Sequence, residues 1–379
     1  MNRSIYLDYN ATTPVDPIVL ETMLPYFNEK FGNAASRTHS YGWIADEAVE
    51  MAREQVANFI GAEKNEIVFT SGATEALNLA LKGVFEAYQS KGNHIVTLAT
   101  EHKAVLDTCK HLEALGASIT YLPVDKNGLP DMDSIRDSIN DKTILFCGMM
   151  ANNETGVILP VKEISTIVHE RNCIFLSDTT QACGKIPVDV SQAGIDILCM
   201  SAHKMYGPKG TGAIYLRRRG PRVHIKAQQD GGEHEGGRRS GTLNVPGIVG
   251  LGKACQLSKV ILPQEMIRLK SMRDRLEKKL IATGKASVNA GDSPRLPNTS
   301  NLIFHGRRSD VIIRDLNTLA MATGSACTSA IPKPSHVLLE MGLTDEEASS
   351  SIRLSLGKFT SEEEVNVTIE TFLNYLPSD

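Results

Sequence analysis

The sequence has no Cys-x-x-Cys pair, and its seven cysteines are an odd number scattered over 379 residues. That spacing indicates neither a disulfide framework nor a zinc cage, so no metal site is expected. Cys147, Cys173 and Cys199 lie inside apolar strand-like runs, where a cysteine behaves as a small buried hydrophobe. There is no basic tract either. Lys and Arg number 40 against 44 Asp and Glu, a formal charge of −4, which argues against nucleic acid as a direct partner. The first residues, Met1 to Asp8, lack the apolar run and small-residue cleavage site of a signal peptide. No later apolar run is expected to reach membrane-spanning length. The expectation is a soluble, cytoplasmic protein without membrane contact.

What the chain has is alternation. Between about residues 65 and 216, short apolar runs alternate with helical patterns, the signature of βα units around a mostly parallel sheet. Seven strands are predicted, at Glu66 to Thr70, His94 to Leu98, Ser118 to Leu122, Thr143 to Gly148, Cys173 to Asp178, Ile195 to Ser201 and Gly212 to Leu216. Beyond residue 260 the pattern changes: Met266, Leu269, Met272, Leu276 and Leu280 recur at helical spacing. Strands are predicted at Ser300 to Phe304, Leu319 to Thr323 and Ser351 to Ser355, and a capping box Thr360-x-x-Glu363 opens a last helix. The expected architecture is α/β, with a large domain over residues 15–258 and a smaller α+β domain made of 1–14 and 259–379.

The candidate chemistry lies at predicted strand ends. The turn Ser201-Ala202-His203-Lys204 leaves a buried strand at its carboxyl end, where open α/β sheets keep their ligands. Lys204 is placed as a cofactor-bearing lysine would be, although a solvated loop lysine fits the decapeptide alone equally well. Ser71-Gly72-Ala73-Thr74-Glu75 follows a strand and opens an amphipathic helix, offering backbone amides and a hydroxyl to a phosphate, or simply capping a helix. Asp178 ends another strand, where a carboxylate either caps a helix or pairs with the protonated ring nitrogen of pyridoxal phosphate. Glu101-His102-Lys103 and Asn152-Asn153-Glu154 sit at two further strand ends. One shared site explains this repetition more economically than five coincidences.

These segments resemble the cysteine desulfurases of the class V aminotransferase fold. The likeness runs from Tyr6-Leu7-Asp8-Tyr9 through Phe31-Gly32-Asn33, Thr100-Glu101-His102-Lys103, Asp178-x-x-Gln181, His203-Lys204-x-Tyr206-Gly207-Pro208 and Arg239-Ser240-Gly241-Thr242 to Gly324-Ser325-Ala326-Cys327 and Ser351-Ile352-Arg353. The resemblance implies that pyridoxal 5'-phosphate is carried on Lys204 and stacked by His102, which also handles protons. It implies that Asp178 binds the ring nitrogen, Gln181 the ring oxygen, and Ala73, Thr74, Ser201 and His203 the phosphate. Asn33, Asn153 and Arg353 would bind the substrate, a guanidinium fork being the matched partner of a carboxylate. Thr242 would reach the phosphate of a neighbouring subunit, which makes the enzyme a homodimer with composite sites.

Cys327 lies among small and polar residues that argue against a core position, and it is the expected nucleophile. The resemblance is to the branch with the longer cysteine loop, so L-cysteine would be converted to L-alanine and the sulfur held as a persulfide for an acceptor protein. Selenocysteine lyase, cysteine β-lyase and a non-catalytic binding protein are the alternatives. Ala202, Thr179 and Cys183 depart from the family's usual residues without removing a catalytic group. The acceptor is left open among iron–sulfur scaffolds, tRNA thiolation enzymes and DNA phosphorothioation systems. Members devoted to iron–sulfur assembly often carry a longer tail past the last helix than the one ending here at Asp379.

Overall fold

The computed structural model describes residues 4–323 and 334–376. After the two-residue strand β1 (Ile5–Tyr6), the strands β2 (Ile67–Thr70), β3 (His94–Leu98), β4 (Ser118–Leu122), β5 (Thr143–Cys147), β6 (Ile174–Asp178), β7 (Ile197–Ser201) and β8 (Gly212–Leu216) follow in the chain. β2 to β8 form one seven-stranded sheet in the order β2-β8-β7-β6-β5-β3-β4. β8 runs antiparallel to both of its neighbours, and the remaining pairs are parallel. Every residue of β2, β3, β5, β6, β7 and β8 is buried, because helices cover both faces. This is why these strands read as unbroken apolar runs rather than as alternating patterns. All seven expected strands are present with ends within two residues of expectation.

A second body follows the sheet. β9 (Ala286–Val288) and β10 (Thr299–Phe304) pair antiparallel, β11 (Leu319–Ala320) pairs parallel with β1, and β12 (Ser351–Ser355) lies antiparallel on the far side of β10. The strand expected at Leu319 to Thr323 is thus only two residues long, and β9 was not anticipated. Its own core joins Leu7, Leu276, Leu302, Phe304, Ile352 and Phe372. The last helix, Glu362–Tyr375, is capped one residue later than expected. Ser361 Oγ accepts from Glu364 N (3.1 Å) and Glu364 Oε2 accepts from Ser361 N (2.8 Å), whereas Thr360 Oγ1 accepts from Gly357 N (3.0 Å).

The helix Val245–Ile281 is 37 residues long and links the two bodies. Val245, Ile248, Leu251 and Cys255 pack into the core beneath the sheet, and Leu269, Met272, Leu276 and Leu280 pack into the second core. Pro263 falls between the two sets, where it removes one intrahelical hydrogen bond. We infer that the division between domains falls inside this helix. One 18-residue window of it reaches a mean hydropathy of 1.2, long and apolar enough to cross a membrane by length and composition. That corrects the expectation that no run reaches such length. The apolarity has another cause, since 56% of the window is buried within the protein, chiefly against the helix Ser40–Ile60.

Because β2, β6 and β7 point the same way, their carboxyl ends open on one edge. β2 leads into the helix Ala73–Ala87, β6 ends at Asp178, and β7 leads into the short turn Ala202–Lys204. The amino-terminal segment crosses this edge. Tyr6 pairs with Ala320 in the second body, and Thr13 N donates to His203 O (2.9 Å) in the first.

Candidate active site

A cleft of about 900 Å³ lies over that edge, floored by the ends of the parallel strands and walled by the second body. It brings together Ala73, Thr74, His102, Asn153, Asp178, Gln181, Ser201, His203, Lys204 and Arg353, residues drawn from segments up to 280 positions apart.

Lys204 sits in the cleft with Nζ donating to the carbonyls of Asn10 (2.8 Å) and Ala11 (2.7 Å), and no carboxylate among the described residues pairs with it. Burial, together with the guanidinium of Arg353, pulls its amine down to about 8, so the nucleophilic neutral form is accessible near neutrality. His203 is pushed down to about 4, first by burial and then by Lys204 and Lys209, so it is neutral; its Nδ1 lies 3.1 Å from Thr12 Oγ1. His102 caps the helix Lys103–Ala114, its Nδ1 accepting from Ala104 N (3.1 Å), which leaves Nε2 as the protonated nitrogen of the neutral ring. Burial lowers its pKa as well.

Asp178 Oδ1 accepts from Thr180 N (2.9 Å), and no hydrogen bond engages Oδ2. Arg353, on β12 and 5% exposed, donates from Nη1 to Asn153 O (3.0 Å) and from Nη2 to Asp8 Oδ1 (2.6 Å). Its Nε is buried without a partner, as is Thr180 Oγ1. Unpaired polar atoms of this kind are rare in folded proteins, and these two belong to residues that line the cleft.

The cradle at the amino end of Ala73–Ala87 has the same character. Gly72 occupies the N-cap position at φ 153°, with no side-chain cap. Opposite it, a Cβ on Gly212 would lie only 2.7 Å from Gly72 Cα, so Gly212 lets the two backbones meet, while Gly72 is suited to its own positive φ. The open helix end, Thr74 and Ser201 together offer a phosphate the donors and the positive dipole it needs. The residues therefore fit pyridoxal phosphate: a phosphate cradle, a carboxylate for the ring nitrogen, an amide for the ring oxygen and an amine for the aldehyde.

Asn33 and Thr242 are not brought into this cleft within one chain. Both are exposed, and Asn33 Oδ1 accepts from Ala35 N (2.9 Å) in its own loop. Cys327 lies outside the described residues. In the other direction, the cleft contains residues that sequence reasoning did not assign: Asp8, Asn10, Met149, Thr180 and His336. Asp8 stood inside a recognised motif but had no local signal of its partner, since Arg353 lies 345 residues away. His336 Nε2 donates to Glu101 O (3.0 Å), and the adjacent Ser335 Oγ donates to Glu154 Oε2 (2.5 Å), whose carboxyl burial pushes up.

These features define a pyridoxal-phosphate fold-type site on a parallel sheet, and the chain belongs to the aminotransferase class-V family, whose profile matches residues 5–367. Over 367 residues it is 52% identical to a cysteine desulfurase IscS of Anaeromyxobacter sp. (strain Fw109-5), covering 97% of this chain and 91% of the relative. Among solved structures it is similar to a NifS-like protein (TM-score 0.92, 36% identity, 98% of this chain and 99% of that one). It is also similar to SspA in complex with cysteine (TM-score 0.81, 34% identity, 94% and 100%). Pyridoxal phosphate is the family's cofactor.

Proposed function

We propose that this chain is a pyridoxal-phosphate-dependent cysteine desulfurase that converts L-cysteine to L-alanine and passes the sulfur to an acceptor protein. The observation that carries the reading is the partly neutral Lys204 amine, held by two carbonyls in the same cleft as Asp178 and Arg353, in a chain half-identical to cysteine desulfurases.

Bound pyridoxal phosphate supplies an electron sink for the pair released when a proton leaves the substrate's α-carbon. The chain's own residues do the rest. Ala73, Thr74, Ser201 and His203 hold the phosphate, Asp178 the ring nitrogen and Gln181 the ring oxygen. Arg353 and the Asn153 side chain orient the substrate carboxylate through charge-assisted bonds. Lys204 takes the α-proton on Nζ, and His102 stacks on the ring and relays a proton through Nε2. The Cys327 thiolate then attacks the substrate sulfur. A sulfur–sulfur bond forms, the carbon–sulfur bond breaks with its electron pair left on carbon, and that carbon takes a proton to leave as alanine.

In the same reading the enzyme is a homodimer in which Thr242 and Asn33 serve the partner's cleft. Exposed Ile18, Leu24, Phe27, Phe31, Tyr41 and Trp43 form an apolar surface suited to being covered, and sedimentation of the purified protein tests it. A cytoplasmic location agrees with six buried free cysteines among the described residues.

Cys327→Ser is the deciding experiment. A hydroxyl is scarcely ionised and far less nucleophilic than a thiol of ordinary pKa about 8.5. The variant should still bind cysteine, seen as a spectral change, but lose the one-sulfur mass increment and alanine production. Cys183→Ser should lose neither, because burial pushes that thiol up to about 12. Wild-type turnover by Cys327→Ser would favour a lyase instead.

A further inference from the structure

Lys185 is a buried cation that the proposed chemistry does not use. It is 8% exposed, and no carboxylate among the described residues pairs with it. A lysine in that position is costly, so a compensating use is expected. Its ammonium lies against a single side chain: Nζ donates to Gln181 Oε1 (2.6 Å) and to Gln181 O (3.3 Å). The two residues share one face because the chain after β6 winds into a helical turn, with Cys183 N donating to Thr179 O and Ile186 N to Ala182 O.

The other end of the Gln181 amide is equally constrained. Nε2 donates to Asn10 O (2.9 Å), the same carbonyl that receives Lys204 Nζ (2.8 Å). An ammonium only donates and a carbonyl only accepts, so while Lys185 holds its proton just one of the two amide orientations satisfies both ends. Flipping it would set oxygen against oxygen at Asn10 and NH₂ against NH₃⁺ at Lys185. The side of Gln181 that reaches the cleft is therefore its donor.

We propose that Lys185 is a positioning residue that locks the Gln181 amide with its NH₂ toward the cleft, so that the site offers a donor to the anionic ring oxygen of the cofactor. The inference rests on pyridoxal phosphate being the occupant. Its test uses Lys185→Met, which keeps the length and packing of the side chain while removing the lock. Since a buried cation without a carboxylate partner is replaced by a hydrophobe, the apoprotein's Tm should stay level or rise. Cofactor affinity should nonetheless fall about tenfold, the scale of one hydrogen bond to a charged group, and the visible absorption band of the bound cofactor should move. Gln181→Ala should produce the same two changes, and adding Lys185→Met to it should add little. A fall in Tm with unchanged affinity and band in the folded protein would make Lys185 structural and overturn the proposal. Equal, additive losses from the two single variants would also overturn it, since Lys185 would then act without Gln181. If wild-type protein binds no pyridoxal phosphate, the cofactor reading fails instead, a different result from wild-type and Lys185→Met binding it equally.

Discussion

Two aspartates on adjacent strands sit at opposite ends of the sheet and are treated in opposite ways. Asp196, one residue before β7 at the amino edge, is 1% exposed and has a neighbour at each oxygen: Oδ2 meets His169 Nε2 and accepts from Phe175 N, both at 2.8 Å, and Oδ1 forms an ion pair with Arg217 Nη1 at 2.7 Å without the geometry of a hydrogen bond. Asp178, ending β6 at the carboxyl edge, is also buried, yet one of its oxygens has no partner. The same asymmetry extends to the cations. Arg217 is paired, whereas Lys204 and Lys185 have no carboxylate partner among the described residues, and Arg353, though paired with Asp8, keeps an Nε without a partner there. A fold that neutralises a buried carboxylate with a paired arginine at one edge and leaves one without such a cation at the other reserves the second edge for a ligand.

The largest effect that follows is on Lys204. Lys204→Ala should abolish turnover altogether, because its covalent and proton-carrying roles are lost with the amine, while the apoprotein stays folded, losing a half-buried cation together with its bonds to the Asn10 and Ala11 carbonyls. Borohydride treatment and peptide mass analysis should find the reduced cofactor on the Lys204 peptide of the wild type and nowhere in the variant. Cofactor trapped on another lysine would undo the assignment.

The two aspartates themselves give the next test. Asp178→Asn should lower kcat by at least about 100-fold, the loss expected when a preorganised charge is removed from a site, with little change in Tm. Asp196→Asn should do the reverse. It strands Arg217 and the His169 contact, costing about 3 kcal/mol in stability, while the folded fraction turns over normally. Equal effects of the two substitutions on kcat would mean that the edges do not divide the work in this way.

Much of this was legible in the sequence, for physical reasons. Strands buried on both faces announce themselves as apolar runs, and a site built at their carboxyl ends inherits their positions, so Asp178, Ser201 and Lys204 could be placed from local pattern alone. What local pattern could not supply were partners brought in by tertiary structure. Asp8 and Asn10 come from a segment that spans both bodies, and Lys185 has no periodic signature, only an i, i+4 relation to Gln181 that matters once the turn is known. Asn33 and Thr242 came from resemblance alone, and a single chain leaves them outside the cleft.

The smallest effect is a pH dependence. Lys185 titrates at about 7 in the folded protein, chiefly through burial, with Lys204 and Arg353 pushing the same way and Cys183 opposing them. In the unfolded chain it titrates at about 10.4. Between these values the unfolded state holds the extra proton, so stability rises with pH. The cost of burying the ammonium is therefore fully present below about pH 7 and gone above about pH 10.4. Lys185→Met never bears that cost, and the charges facing it, Lys204, Arg353, His203 and Cys183, contribute to the difference only through their coupling to Lys185. Denaturant unfolding of the two apoproteins should accordingly show the variant ahead at pH 7, with wild type closing the gap at no more than about 1.4 kcal/mol per pH unit as pH rises toward 10. A gap that stays constant over that range would mean that Lys185 keeps its proton when buried. The carboxyl edge would then hold a fixed positive charge, and the Lys185 ammonium would lock the Gln181 amide over the whole range.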